Sequence, residues 1–364
     1  MTTPSTMTFR LFAVAALAGL LAGPAGAEPP GPAAARQVVV SGKAAGGYAA
    51  FPDVCRTKKG DLFCVFYSGY GHVSKPNKDW PKGGRVMAVR SSDNGKTWGE
   101  PFVLADTVHD DRDPSVAVLN DGTLLCNWFV AANPDKPLPG NRPHAIFLSR
   151  STDDGKTWGE PAELKVDSTD WFACSAPVRE LPDKSLILGL YTENEKGKIA
   201  YGATIRSDDG GKTWKDLALI GDKAGLYLDA ETDVVRLKDG TLLAALRSSK
   251  TDLHFATSAD GGKSWGKVYS SGFKGHCPHF LRHSSGAILL SHRLPATAVH
   301  WSFDEGKTWQ GPLQIDTVSG AYPSCVELPD GAVYCVYYEE GAGSSIRGTR
   351  LKVSRSGVTA ADER

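Results

Sequence analysis

Two short repeats interleave along this chain, and together they leave little choice of architecture. The first is S-x-D-x-G-x-[T/S]-W, written SSDNGKTW from Ser91, STDDGKTW from Ser151, SDDGGKTW from Ser207, SADGGKSW from Ser258 and SFDEGKTW from Ser302. Its aspartates Asp93, Asp153, Asp209, Asp260 and Asp304 are separated by 60, 56, 51 and 44 residues. The second repeat is a hairpin: an apolar run, a turn usually spelled D-G or K-G, and another apolar run. It occurs six times, from PDVCRTKKGDLFCVFY to PSCVELPDGAVYCVYY. Asp-Gly between β-rich runs is a strong hairpin signal. One more strand separates each hairpin from its box (GRVMAVR, HAIFLSR), and another follows the box (EPFVLAD). Four-stranded units recurring every roughly 40 to 60 residues are propeller blades. The expected fold is all-β, a six-bladed β-propeller of four-stranded antiparallel blades.

The sixth unit has a hairpin at Pro323 and a third strand near IRGTRLKVSR, but neither box nor fourth strand. VVVSG at Val38–Gly42 is the candidate to supply it, which would close the ring and protect its open edges. The propeller is thus expected over residues 38–356, with 357–364 as a tail. Ahead of it, Arg10 is followed by LFAVAALAGLLAG and by the small-x-small Ala25-Gly26-Ala27, the pattern of a cleaved leader. Residues 1–27 read as a signal peptide and 28–37 as a linker, so a secreted or periplasmic protein is expected. The apolar run is too short for a good membrane span. Lys plus Arg and Asp plus Glu number 41 each, which gives no basic excess for nucleic acid or an anionic membrane. Seven cysteines are an odd count; Cys64, Cys126 and Cys335 share one position after the hairpin turn, where core packing explains them. No spacing implies a metal or organic cofactor. A monomer is expected.

The box is read as structural: its Asp and Ser/Thr satisfy a tight turn, Gly takes the positive φ, and Trp packs between blades. Strand direction then sorts the faces. If the innermost strand starts at the top, the hairpin turns and boxes fall at the bottom. The residues just before the inner strand, and at the end of the second, gather around the upper tunnel mouth. Loops on a rigid scaffold are where function usually sits. That ring runs Ala50-Phe51, Arg112-Asp113, Ser175-Ala176, Ala230-Glu231, His276-Cys277 and Ala321-Tyr322, with Asp53 just inside. Arg247, Arg293 and Glu339 lie at or near the ends of second strands, and Asp79 in the first-blade loop. Arginine forks suit a ligand carboxylate, and one carboxylate can serve as acid while another activates a nucleophile. An anionic or polyhydroxylated ligand is the expected partner.

Five boxes interleaved with six hairpins, from about Val38 to Ser354, resemble the sialidase (neuraminidase) superfamily, the Asp-box or BNR-repeat propellers. The resemblance implies an exo-glycosidase acting on sialylated or other acidic glycans, sialic acid first, through a tyrosine nucleophile. On that basis Tyr322 in AYPSCVELPDG is similar to the nucleophile and Glu231 in AETDVVRLKDG to the glutamate that polarises it. Arg247 and Arg293 resemble the second and third arginines that hold the substrate carboxylate, and Glu339 a glutamate that orders a neighbouring arginine. Where the superfamily opens its first hairpin with Arg-Ile-Pro, this chain has Ala50-Phe51-Pro52. Arg112, one blade on, is placed to replace the missing arginine. Asp79 and Asp113 are both candidates for the acid/base, and Asp53 and His276 for substrate contacts. Two other readings are a non-catalytic glycan-binding propeller and a glycosidase of the same fold with another sugar.

Overall fold

The structure, a computed structural model, describes residues 36–194, 199–229, 231–341 and 343–361. The leader expected over residues 1–27 lies outside them. The described chain forms six antiparallel sheets in sequence order, five of them four-stranded. Their innermost strands are Tyr48–Arg56, Asp110–Val118, Arg179–Glu180, Thr232–Arg236, His276–Arg282 and Gly320–Glu327. Each is joined by a hairpin to a second strand, as the D-G and K-G turns require.

Inner and second strands are buried on both faces: every residue of Leu62–Gly69 and nearly every one of Tyr48–Arg56 is buried. A blade that packs on a neighbour on either side has no solvent face, so these strands read as continuous apolar runs rather than alternations. Val65 and Phe63 of the first blade pack with Val116, Leu124 and Trp128 of the second in one cluster. Burying each such side chain is worth about 1.5–3 kcal/mol. Cys64, Cys126 and Cys335 are fully buried in these layers, and all seven cysteines are free thiols.

The five boxes repeat one geometry. In the first, Asp93 Oδ1 accepts from Ser91 Oγ at 2.8 Å and from the Thr97 amide at 2.9 Å, while Oδ2 accepts from Thr97 Oγ1 at 2.6 Å. These donors, the Thr97 hydroxyl first, hold the Asp93 carboxyl below its usual range, at about 2. Each box tryptophan reaches back to the preceding blade: Trp158 to Phe63, Trp265 to Thr204, and Trp309 to Phe255.

Ring closure uses both ends of the chain. Gln37–Val40 pairs with the third strand of the sixth blade, Ile346–Ser354, at Ile346–Gly348. Of the stretch expected to be a tail, residues 357–360 are part of the sheet instead. Gly357–Ala360 folds back on Leu351–Ser354, so two short strands divide one outer edge between them. That edge would otherwise be a free template for pairing.

Candidate active site

The upper tunnel mouth is built by a backbone device that repeats from blade to blade. Phe51, Asp113, Glu231, Cys277 and Tyr322 all take positive φ, at 51°, 48°, 26°, 52° and 51°. Proline follows four of them, and in those four blades the hairpin ladder slips at this point in a bulge. A left-handed non-glycine residue costs about 1–3 kcal/mol, a strain that persists where the surrounding structure over-determines it. Four of these five residues carry hydroxyl, carboxyl or thiol groups.

Tyr322 is the centre. Its hydroxyl donates to Glu231 Oε1 at 2.6 Å and lies 3.0 Å from Asp113 Oδ2. Arg247 Nη1 donates to both oxygens of Glu231, at 2.7 and 2.9 Å, and the Cys277 amide adds a third contact at 3.3 Å. Burial, then the charges of Asp113 and Glu231, push the Tyr322 phenol well above its ordinary value, so it is neutral at rest. Burial likewise pushes the Asp113 carboxyl up to about 6, reinforced by Glu231 and opposed by Arg112. A phenol has one proton to give. With Glu231 receiving it, the 3.0 Å contact is favourable when Asp113 holds a proton of its own, in keeping with its raised value. Asp113 Oδ2 also accepts from Ser175 Oγ at 2.9 Å, and the Tyr191 phenol bonds to Ser175 behind it.

The arginines divide into bound and free. Arg247 is committed to Glu231. Arg112, 8% exposed, sits against the rings of Phe51, Tyr67 and Phe129, its guanidinium carbon 5.3, 5.5 and 5.7 Å from their centroids. It donates to the His72 carbonyl at 2.6 Å. Arg112 therefore does approach the place of the missing first-blade arginine, stacked over Phe51, the residue next to the alanine that stands there. Arg293, opposite His276 in the sheet register, has no hydrogen bond or ion pair from its guanidinium among the described residues, and its Nε is buried. Burial works against its charge, but Cys277, Tyr322 and Glu231 more than offset that and raise it. His276 bonds the Ser248 carbonyl through Nε2 at 3.2 Å, which leaves Nδ1 a buried acceptor without a partner.

Three residues expected at this site are engaged elsewhere. Asp53 lies one layer deeper and accepts from the Val116 amide at 2.7 Å and from Ser324 Oγ at 2.5 Å, with His279 Nε2 3.4 Å away. It ties the first blade to the second and sixth and has no oxygen left for a ligand. Asp233, at the same position of the fourth blade, binds the Phe280 amide of the fifth in the same way. Glu339 pairs with Arg347 at 2.5 Å, its near neighbour across the strand pair. Asp79 is exposed, with contacts to Lys78 and Asn77 and none to the Tyr322 cluster. Sequence reasoning passed over Tyr191, although it closes a second strand much as Tyr67 does. It also passed over Asp110, which accepts from Tyr67 Oη and the amides of Ser74 and Gly84 and so fixes both ends of the loop carrying His72.

This is a propeller of the sialidase fold whose upper mouth holds a tyrosine between two carboxylates and beside an arginine without a partner among the described residues. The chain belongs to the BNR repeat-like domain family, whose model matches residues 81–335. It is 28% identical over 335 residues to a sialidase of Micromonospora viridifaciens, an alignment covering 80% of this chain and 50% of that protein. It is 25% identical over 346 residues to a sialidase of Bacteroides fragilis, covering 83% and 62%. The chain thus spans between half and two thirds of these curated relatives. Among solved structures, a protein of unknown function from Dyadobacter fermentans superposes with a TM-score of 0.75 at 23% identity, over 91% of this chain and 99% of its own. The NanB sialidase of Streptococcus pneumoniae superposes with a TM-score of 0.68 at 16% identity, over 84% and 68%.

Proposed function

We propose that this protein is an exported exo-glycosidase that removes a terminal acidic sugar, sialic acid first, from glycans. The single observation that carries the reading is the hydroxyl of Tyr322 held 2.6 Å from a glutamate that is itself fixed by Arg247. A nucleophile within hydrogen-bond reach of a base, with the base oriented by a third group, is the general signature of covalent catalysis. Tyrosine replaces the usual carboxylate nucleophile in sialidases. A neutral phenol meets no charge repulsion from a sugar whose anomeric carbon bears a carboxylate.

In this mechanism the Tyr322 oxygen attacks the anomeric carbon while its proton passes to Glu231. The bond to the leaving oxygen breaks, and Asp113 gives that oxygen its proton. A carboxyl 3.0 Å from the attacking oxygen can still come within about 2.6–3.2 Å of a leaving oxygen across one carbon. Water then attacks the tyrosyl–sugar bond, Asp113 takes a proton from it, and Glu231 returns one to Tyr322. Arg293 receives the substrate carboxylate, its guanidinium having no other partner among the described residues. Arg247 and Arg112 contribute positive charge from either side, and His276 Nδ1 offers an acceptor to a sugar hydroxyl.

A non-catalytic glycan-binding role is the second reading, favoured by the buried Ala50 where an arginine would be. Both are tested by assaying the purified protein against a panel of fluorogenic terminal acidic glycosides beside Tyr322→Phe. Turnover of a sialoside that collapses in the variant supports the enzyme. Binding of an intact sialoglycan with no turnover of any glycoside supports the lectin.

A further inference from the structure

The tunnel has a second mouth, and it carries charge that the reaction does not use. Strand register puts Arg56, Val118, Glu180, Arg236, Arg282 and Glu327 on one level, five of them paired with the first residue of their second strand and Glu327 with the second, Val333. Arg56 and Arg236 follow Phe51 and Glu231 by five residues, about 16 Å down their strands at roughly 3.3 Å per residue. Between the two levels, Asp53, Ser324 and His279 hold one another in a buried polar cluster. The lower level opens on a cavity of 610 Å³ lined by Arg56, Arg179, Arg236 and Arg282. That is the size of a pocket for a small ligand.

Most charges at this mouth are matched. Arg179 binds Asp233, Arg282 and Lys238 share Glu305, and Glu180 accepts the Asn120 amide. Glu327 accepts the Ser284 amide beside His283. Arg56 and Arg236 are the exceptions. Neither guanidinium has a hydrogen bond or ion pair among the described residues, and Arg56 Nε is buried without an acceptor. They belong to the first and fourth blades, which face each other across a ring of six. Two unengaged planar forks thus stand on opposite walls of one cavity, and each fork matches a carboxylate or phosphoryl group bidentately.

We infer that the lower mouth is a binding site for a ditopic anion, a small molecule with a carboxylate or phosphoryl group at each end, clamped between Arg56 and Arg236. The site is separate from the Tyr322 centre and does not depend on its chemistry. Calorimetric titration of the full chain at low salt with adipate, and separately with tripolyphosphate, tests it and tells the two kinds of end group apart. One equivalent of at least one probe binds, with an affinity that falls as chloride is raised. In the Arg56→Gln/Arg236→Gln variant binding weakens at least tenfold, while glycoside turnover and melting temperature stay as they were. Arg56→Lys/Arg236→Lys keeps the charge but loses the forks, and is also weakened. Arg293→Gln leaves binding intact. The inference is overturned if neither probe binds, if binding survives in both double variants, or if it is lost on Arg293→Gln.

Discussion

Replacing Asp113 by asparagine separates proton donation from everything else this residue does. The carboxyl is 4% exposed, its Oδ1 is a buried acceptor with no hydrogen bond, 4.0 Å from the Arg112 guanidinium, and its ordinary value of 3.8 is pushed up to about 6. As the acid, Asp113 is half protonated at pH 6 and only about one-tenth protonated at pH 7, so kcat/KM falls nearly tenfold per pH unit above that value. An amide preserves the contacts to Ser175 and Tyr322 but has no proton to give. Asp113→Asn is therefore expected to lose about 10²–10⁴ in kcat/KM on an alkyl glycoside. It loses far less on a nitrophenyl glycoside, whose leaving group departs unprotonated, and the alkaline limb near pH 6 disappears. Stability moves the other way. A carboxyl whose folded value is raised binds its proton more tightly in the folded state, so its contribution is complete below pH 3.8 and is lost as pH rises through 6. The amide escapes that loss, and the variant melts no lower than the parent at pH 7.5. The assay is kcat/KM against pH for both leaving groups, which reads the free enzyme. Equal losses on the two, with the limb near pH 6 unchanged, would refute proton donation by Asp113.

Arg247→Gln strips the cation from a buried glutamate, and removing one partner of such a pair costs roughly 3–5 kcal/mol; a melting temperature lower by several degrees, together with a loss of at least tenfold in kcat/KM, is expected. A variant that melts like the parent would show that Glu231 does not need its cation. Asp53→Ala leaves the Val116 amide and the Ser324 hydroxyl buried without their acceptor, at about 1–3 kcal/mol each. Thermal melts should shift while kcat/KM, measured well below the transition, does not; a KM effect without a stability effect would return Asp53 to the substrate.

The blade pattern was legible because box and hairpin each satisfy their own backbone locally, and their alternation dictates strand order. Strand order in turn put Tyr322, Glu231 and Asp113 at one mouth, since residues equally placed in consecutive blades must meet at the axis. Partner choice was not legible. Glu339 and Glu340 are neighbours in sequence, yet one turns to Arg347 and the other to the hydroxyls of Tyr48 and Tyr338. Asp53 is two residues from the ring, where plain alternation would keep it on the face of Phe51, but the bulge between Ala50 and Asp53 breaks that pattern and the carboxylate faces the adjoining blade. The lower arginines escaped notice for a related reason. At the level of sequence Arg56 and Arg236 look like ordinary flanks of exposed turns, and only the ring sets them opposite one another. The outer edge of the sixth blade was half legible, since VVVSG pairs as expected but the short Gly357–Ala360 strand has no box to announce it.

The central claim is that Tyr322 forms a covalent bond to the sugar. A fluorinated sialoside with a good leaving group forms such an intermediate and hydrolyses it slowly, so rapid quenching followed by peptide mass mapping reads the attachment point. The expected result is one sugar per chain on the peptide containing Tyr322, and no adduct with Tyr322→Phe. Attachment to Asp113 or Glu231, or full turnover of the probe by the phenylalanine variant, would contradict the account.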